Sequence, residues 1–294
     1  MKPQLLKVAT GITDSFSVRQ DNVPYINNKW HYHPEVELIH FEKGNGTQFI
    51  GDNIKSFTDG DVLLVGSDLP HYWRFDERYF HKSTTILTET DIRVAHFSEN
   101  FWGERFLQLP ENKAIRDVLE KSKRGLQVTG ESRKRVAFIL EKMLIKTGTE
   151  RLILLLEALL EIGSSENYAS LSSIGFSYIP NDPESDRMST IYEYCIANFR
   201  KNICTEEIAA IAHLSPNSFC RYFKSRNRKT FSEFMIEIRV GYACKLLIEN
   251  NSTVKEICFD SGFNNFASFH KYFRMKTGKS PLRYRKEFLR EKSL

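Results

Sequence analysis

The sequence predicts a two-domain α+β protein, with a β-rich N-terminal domain, a helical segment after it, and an all-α C-terminal domain. Three observations carry this. Short apolar runs separated by turn residues fill the first hundred positions, helix-length apolar patterns replace them after Pro110, and charge is divided unevenly along the chain. At 294 residues, 41% hydrophobic and 27% charged, the chain has material for two cores.

The segments VELIHF (36–41), GTQFIGD (46–52), GDVLLVG (60–66) and TTILT (84–88) read as strands, punctuated by Gly44-Asn45-Gly46, Gly51-Asp52-Asn53 and Asp59-Gly60-Asp61. Short strands at this spacing predict an antiparallel sandwich or small barrel. Three helices are expected over 112–124, 131–146 and 149–162. The third is apolar on nearly every side, so the sheet domain or a second subunit must cover one face. Residues 163–186, rich in Ser, Gly, Pro and Asn, read as a linker. The expected organisation is therefore a β domain over 1–110, a helical dimerisation region over 111–163, a linker over 164–186 and a C-terminal domain over 187–290.

The most apolar run, LILLLEALL (152–160), is too short to cross a membrane and carries Glu157. The start, MKPQLLKVATGI, lacks a continuous apolar stretch, and no membrane partner is expected. All five cysteines lie in the C-terminal third without a C-x-x-C pair, which argues against a zinc module or a disulfide framework and fits a reducing cytoplasm. From Asp186 onward Lys+Arg outnumber Asp+Glu by 20 to 11, net +9, whereas residues 1–185 carry net −4. A basic back third suits a polyanion.

That third contains a repeat. Phe219-Cys-Arg-Tyr-Phe-Lys224 returns fifty residues later as Phe269-His-Lys-Tyr-Phe-Arg274. Each copy follows a short helix, a turn and a capped helix start. In the first, Thr205 is placed to cap a helix with Glu206 and Glu207 in its first turn; His213-Leu214 forms the turn, and Ser215-Pro216 opens the next helix. In the second, Thr253-Val-Lys-Glu256 is a capping box, Gly262 ends the helix in a left-handed conformation, and Asn264 or Asn265 caps its successor. Phe219/Phe223 and Phe269/Phe273 face inward at i,i+4. The opposite faces carry Asn217, Cys220, Arg221 and Lys224 in copy one, and Ala267, His270, Lys271 and Arg274 in copy two. These are two helix-turn-helix units with reading faces suited to a major groove. Between them, residues 231–250 read as one helix of about 30 Å, near the 34 Å of one DNA turn.

Several motifs, T-x-E-I-A from Thr205, L-S-x-x-x-F-x-R-x-F-K, Arg239-x-x-x-Ala243-x-x-Leu246-Leu247, Ile257-x-x-x-x-Gly262-Phe263 and the closing Gly278-Lys-Ser-Pro281-Leu-Arg-Tyr284-Arg285, are similar to the DNA-binding domain of AraC/XylS transcription regulators over roughly 100 residues. The resemblance implies that Asn217, Cys220 and Arg221 face bases in the first unit, with Ala267, His270 and Lys271 in the equivalent places of the second. One departure stands out: the glycine expected after the first reading helix is Arg228. Either Asn227 takes the left-handed cap or Arg228 adds a phosphate contact. Arg239, mid-rod, is expected in a structural salt bridge.

Near the N-terminus, His31-x-His33-x-x-x-Glu37 followed by Gly44 resembles the first cupin motif. Gly60-Asp61 through Pro70-His71 approximates the second, with Gly66 and Asp68 in an altered turn and Phe75 in place of a terminal Asn. Residues at i and i+2 of a strand share a face, so an unbroken strand would aim His31, His33 and Glu37 inward, while Pro34 bears on that continuity. A divalent metal held by His31, His33, Glu37 and His71, a metal-free effector pocket using the same groups, and a structural hydrogen-bond cluster are the three readings. Trp30, Trp73, Tyr32 and Tyr72 are candidates to stack on a sugar-like ligand. The combined resemblance, an N-terminal cupin/jelly-roll barrel and a C-terminal double helix-turn-helix, implies a non-enzymatic transcription regulator. Its expected partners are double-stranded DNA at two major-groove sites a turn apart, a small-molecule effector, a second copy of itself and RNA polymerase, with no cofactor required. The alternative is a metal-dependent cupin enzyme (dioxygenase or isomerase) fused to a DNA-binding tail.

Overall fold

The computed structural model describes residues 3–8, 14–23, 29–76, 79, 90–103, 105–165, 167–173, 176, 183–227, 229–249 and 252–291. The strand read at 84–88 lies outside them, as does Arg228. The chain divides into two compact units, an N-terminal one of residues 3–53 and 57–180 and a C-terminal one built mainly from 181–294.

The strands are β1 (Gln4–Leu5), β2 (Phe16–Asp21), β3 (His31–Tyr32), β4 (Val36–Lys43), β5 (Gly46–Ile50), β6 (Asn53–Phe57), β7 (Asp61–Val65), β8 (His71–Phe75), β9 (Asp91–Phe97), β10 (Leu126–Val128) and β11 (Tyr168–Ser170). Among the described residues they form two sheets, ordered β1-β3-β8-β5-β6 and β11-β10-β7-β4-β9-β2. Three helices follow: α1 (Lys113–Ser122), α2 (Gly130–Ile145) and α3 (Gly148–Ser165).

Two cores result. Ile39, Phe41, Leu63, Val65, Ile92 and Val94 of the larger sheet meet Ile50, Trp73 and Phe75 of the smaller one. On the other face, Val36, Leu38, Val62, Leu64, Ala95 and Phe97 pack with Val118, Leu140, Leu155 and Leu159 of the helices. Burial on both faces explains why VELIHF and DVLLV are nearly continuous in apolar residues. Each such side chain contributes about 1.5–3 kcal/mol on burial. The expected linker is partly structured: Ser165 ends α3, and β11 adds antiparallel to β10 with Leu126 opposite Ser170. The edge of β10 offered unpaired main-chain groups, and Tyr168–Ser170 satisfies them.

His40 sits on the helix-facing side of β4, 2% exposed and opposite Arg93. Burial, then the Arg93 charge, pushes its pKa down to about 4. The unfolded chain thus takes up this proton first as pH falls from 6.5, so the contribution of neutral His40 is lost between pH 6.5 and 4. In His40→Gln the acid-side decline of unfolding free energy, followed by urea titration, should be shallower by roughly 3 kcal/mol at pH 4.

The C-terminal unit is helical: α4 (Pro183–Asn198), α5 (Thr205–Ile211), α6 (Pro216–Asn227), α7 (Phe231–Glu249), α8 (Val254–Asp260), α9 (Phe266–Thr277) and α10 (Pro281–Glu291). The α5/α6 and α8/α9 pairs are the two expected units. Their turns superpose in hydrogen bonding: Leu214 N–H donates to Ala209 O, and Phe263 N–H to Cys258 O. The residue before each is left-handed, Gly262 at φ 84° and His213 at φ 54°. Only the glycine adopts this without a Cβ penalty. Exposed His213→Gly should therefore raise stability by roughly 0.5–1 kcal/mol. Gly262→Ala should lower it by about 2 kcal/mol, since its Cβ would lie 2.7 Å from Phe199 O. Urea unfolding checks both.

Three local expectations change. Cys204, not Thr205, holds the N-cap of α5, and no side-chain cap is made there. Asn227 is the last residue of α6, not a left-handed cap; its buried amide accepts from Tyr192 Oη and donates to Phe223 O. Arg239 makes no carboxylate pair among the described residues. Its Nε and Nη2 donate to Phe199 O at 2.9 Å and Lys201 O at 2.8 Å, satisfying carbonyls left open just past α4. Arg285 does the same at the end of α7, toward Leu247 O in its last turn and Ser252 O beyond it.

Candidate functional site

Two constellations carry chemistry. The first lies between the sheets. His31 and Glu37 do not share one strand: β3 ends at Tyr32 and β4 begins at Val36. Pro34 lacks an N–H and fixes its own φ, which interrupts the ladder. His31 consequently lies in the smaller sheet, paired with His71, and Glu37 in the larger. His33, in the connection, has its carbonyl held by Asp68 N–H at 2.8 Å, with Asp68 itself left-handed at φ 57°. The break lets the chain cross between sheets, and the side chains converge from both.

His31, His33, Glu37 and His71 are each at most 3% exposed. Ring centroids are 4.2 Å apart for His31–His71 and 4.9 Å for His33–His71. Each Nδ1 faces a backbone carbonyl: His31 to Lys29 O at 2.7 Å, His33 to Glu35 O at 2.9 Å, His71 to Leu69 O at 2.8 Å. A carbonyl only accepts, so each Nδ1 carries a proton, and each ring in its neutral form presents a lone pair at Nε2. All three Nε2 atoms are buried without a hydrogen-bond partner. His33 and His71 Nε2 approach Glu37 Oε2 to 3.5 and 3.7 Å. Burial would raise the Glu37 carboxyl, but His71, His33 and His96 outweigh it and hold it well below the usual carboxylate range. Burial, then His71, pushes His31 down to about 3.

Sequence reasoning missed two members. His96 of β9 lies opposite Glu37, its Nε2 2.8 Å from Glu37 Oε2. In DIRVAHF it shares the inward face with Ile92 and Val94, and a histidine ending an apolar alternation was the available signal. Gln48 of β5, fully buried opposite Trp73, has neither amide atom partnered among the described residues. The four aromatic candidates do not form one wall. Trp73 points between the sheets and donates Nε1–H to Glu37 Oε1, whereas Tyr72 points to the opposite face and stacks on Phe49.

Would a divalent ion fit? His31, His33 and His71 each offer an atom within 4.8 Å of the others, and so do His33, Glu37 and His96. Three imidazoles with Nδ1 anchored on carbonyls and Nε2 without a hydrogen-bond partner, beside a carboxylate, are the donor set of a Zn, Fe, Mn or Ni site. The residues fit.

The second constellation is the pair α6 and α9, both 12 residues long. Phe219, Phe223, Phe269 and Phe273 are fully buried. Asn217, Cys220, Arg221, Lys224, Ala267, Lys271 and Arg274 are exposed; His270 is half-buried, its ring 4.5 Å from Phe266. Among the described residues no carboxylate pairs with Arg221, Lys224, Lys271 or Arg274, whereas Lys229 and Lys276 both bind Glu237 of α7. Ser215 Oγ accepts from Ser218 N–H, and Asn265 Oδ1 from Ser268 N–H, capping both reading helices.

Two such units on one rod define a DNA-binding domain. Residues 208–287 match the family model described as a helix-turn-helix domain. The chain is 35% identical over 103 residues to the bifunctional transcriptional activator/DNA repair enzyme AdaA of Bacillus subtilis (strain 168), covering 35% of this chain and 49% of that one. It is 30% identical over 103 residues to the uncharacterized HTH-type transcriptional regulator YdeC of the same organism, covering 35% of each. It thus spans half or less of these relatives' lengths. Among solved structures, the DNA-binding domain of AdpA in complex with target DNA aligns at TM-score 0.33 with 26% identity, over 37% of this chain and 94% of that one. ToxT from Vibrio cholerae aligns at 0.37 with 14% identity, over 92% and 98%. Residues 208–287 of this chain thus form a helix-turn-helix domain. Among the described residues no helix is long and apolar enough to cross a membrane.

Proposed function

We propose that this protein is a cytoplasmic transcription regulator that reads DNA with its C-terminal domain and senses through the buried histidine–glutamate site. One observation carries the reading of DNA: two capped helices of equal length, fifty residues apart, each with buried phenylalanines behind and donors in front. Asn217, Cys220, Arg221, Ala267, His270 and Lys271 are assigned to base edges, Lys224 and Arg274 to phosphates. The 19-residue rod α7, about 28 Å long, suits reading in successive major grooves. Phe138 and Ile145 of α2 with Ile153 and Leu160 of α3, all more than 45% exposed, are the surface assigned to a second copy of the chain. RNA polymerase is the further partner this output requires when the regulator activates.

The effector assigned to the inner site is a divalent transition-metal ion held by His31, His33, His71 and Glu37. It would supply positive charge joining the two sheets. A sugar-like ligand has less support, because the aromatic candidates Trp73 and Tyr72 point to different faces. The metalloenzyme alternative shares this ligand set, so DNA affinity separates the two: a sensor changes it on metal removal, and an enzyme with a passive tail does not.

Selecting bound sequences from random DNA tests the regulator reading. Enrichment of two motifs about one helical turn apart is expected; no enrichment would sink it.

A further inference from the structure

The inner site contains five groups able to bind a metal, and their hydrogen bonds sort them into two kinds. His31, His33 and His71 each spend Nδ1–H on a carbonyl and leave Nε2 open. His96 is the reverse. Arg19 Nη1 lies 3.2 Å from its Nδ1, and a guanidinium only donates, so that nitrogen must carry the lone pair. The remaining ring proton is then on Nε2, 2.8 Å from Glu37 Oε2, where it donates to the carboxylate. Arg19 is itself oriented by Asp21, Nε to Oδ2 at 2.7 Å. Trp73 Nε1–H takes the other Glu37 oxygen at 3.2 Å.

We infer that His96, its tautomer set by Arg19, is not a metal ligand but the positioning residue that holds Glu37 as the fourth ligand to a divalent transition-metal ion. The role rests on the metal reading of the inner site. Its logic is geometric. The three ligand imidazoles are anchored by main chain that β3, β8 and their connections already fix. Glu37, a flexible carboxylate, accepts from no main-chain donor among the described residues. Its anchors are side chains: His96 across the strand ladder from it, and Trp73 from the facing sheet. Together they fix both oxygens while Oε2 stays 3.5 and 3.7 Å from His33 and His71 Nε2. Asp21, Arg19, His96 and Glu37 thus form one chain of hydrogen bonds across β2, β9 and β4, three neighbouring strands of the larger sheet.

The test uses the full chain stripped of metal and titrated with Co2+, reading affinity, stoichiometry and the shape of the d–d absorption band. Wild type should bind one equivalent. His96→Gln, whose amide N–H can still donate to Glu37, should keep the band shape and lose no more than about threefold in affinity. His96→Leu should keep stoichiometry and band shape while weakening about 10- to 100-fold, the usual cost of losing an outer hydrogen bond to a ligand. Arg19→Met should weaken binding in the same direction. His33→Ala, which removes a ligand, should change the band. A His96→Gln band that shifts as His33→Ala does would make His96 a ligand and overturn the assignment. So would His96→Leu binding as tightly as wild type. Circular dichroism and thermal melting confirm that each variant is folded. Wild type that takes up no Co2+ would remove the metal reading together with this role, and would leave the outcome of the DNA selection untouched.

Discussion

Arg221→Ala is expected to abolish site-specific DNA binding while the domain remains folded. Arg221 is exposed on α6, and among the described residues it pairs with no carboxylate, so its removal leaves no buried partner unsatisfied. Phe219 and Phe223, which hold the helix to the unit, are untouched. A guanidinium reading a guanine edge contributes about 1–3 kcal/mol of discrimination, so the ratio of specific to non-specific affinity should fall roughly 10- to 100-fold, enough to erase a footprint. Lys224→Ala offers the contrast. As a phosphate contact it should weaken all sequences alike and reduce the salt dependence by about one charge. Fluorescence anisotropy on the selected sequence and a scrambled one, at several salt concentrations, separates the two. A footprint unchanged in Arg221→Ala would remove α6 as the first reading helix.

The second large effect is expected at the inner site. Purified wild-type protein should carry about one equivalent of Fe, Mn, Ni or Zn by elemental analysis, and His33→Ala/Glu37→Ala should carry none. Two of four ligands are lost, and the remaining pair, His31 and His71, both belong to the smaller sheet. An ion there could no longer join the two sheets. Loss of Glu37 also strands the Trp73 and His96 donors in a dry interior, at about 1–3 kcal/mol per unsatisfied group, so the double variant should melt earlier even without metal. A variant that keeps its full metal content would move the ion elsewhere.

Much of the fold was legible because periodicity and turn chemistry are local. The capping box at Thr253 and Glu256, the Ser215-Pro216 helix start and left-handed Gly262 stand where residue type demands them. The inner site was half legible. His31, His33, Glu37 and His71 came from the resemblance to the two cupin motifs, whereas His96 and Gln48 lie on strands remote in sequence and join only through ladder register. Pro34, already suspect as a break, does interrupt the chain between His31 and Glu37, yet the side chains still converge because the chain crosses from one sheet to the other.

By itself the sequence determined the two-part architecture, the duplicated reading helices and the candidate residues, since these depend on patterns within a few turns or one strand. Tertiary structure decided what each buried polar group does. It set which imidazole nitrogens face carbonyls and gave Glu37 a partner 59 residues away. It also turned Arg239 from an expected ion pair into a cap for main-chain carbonyls. The physical reason is that a buried polar group takes the partner that packing brings within reach, and sequence neighbours do not determine that partner.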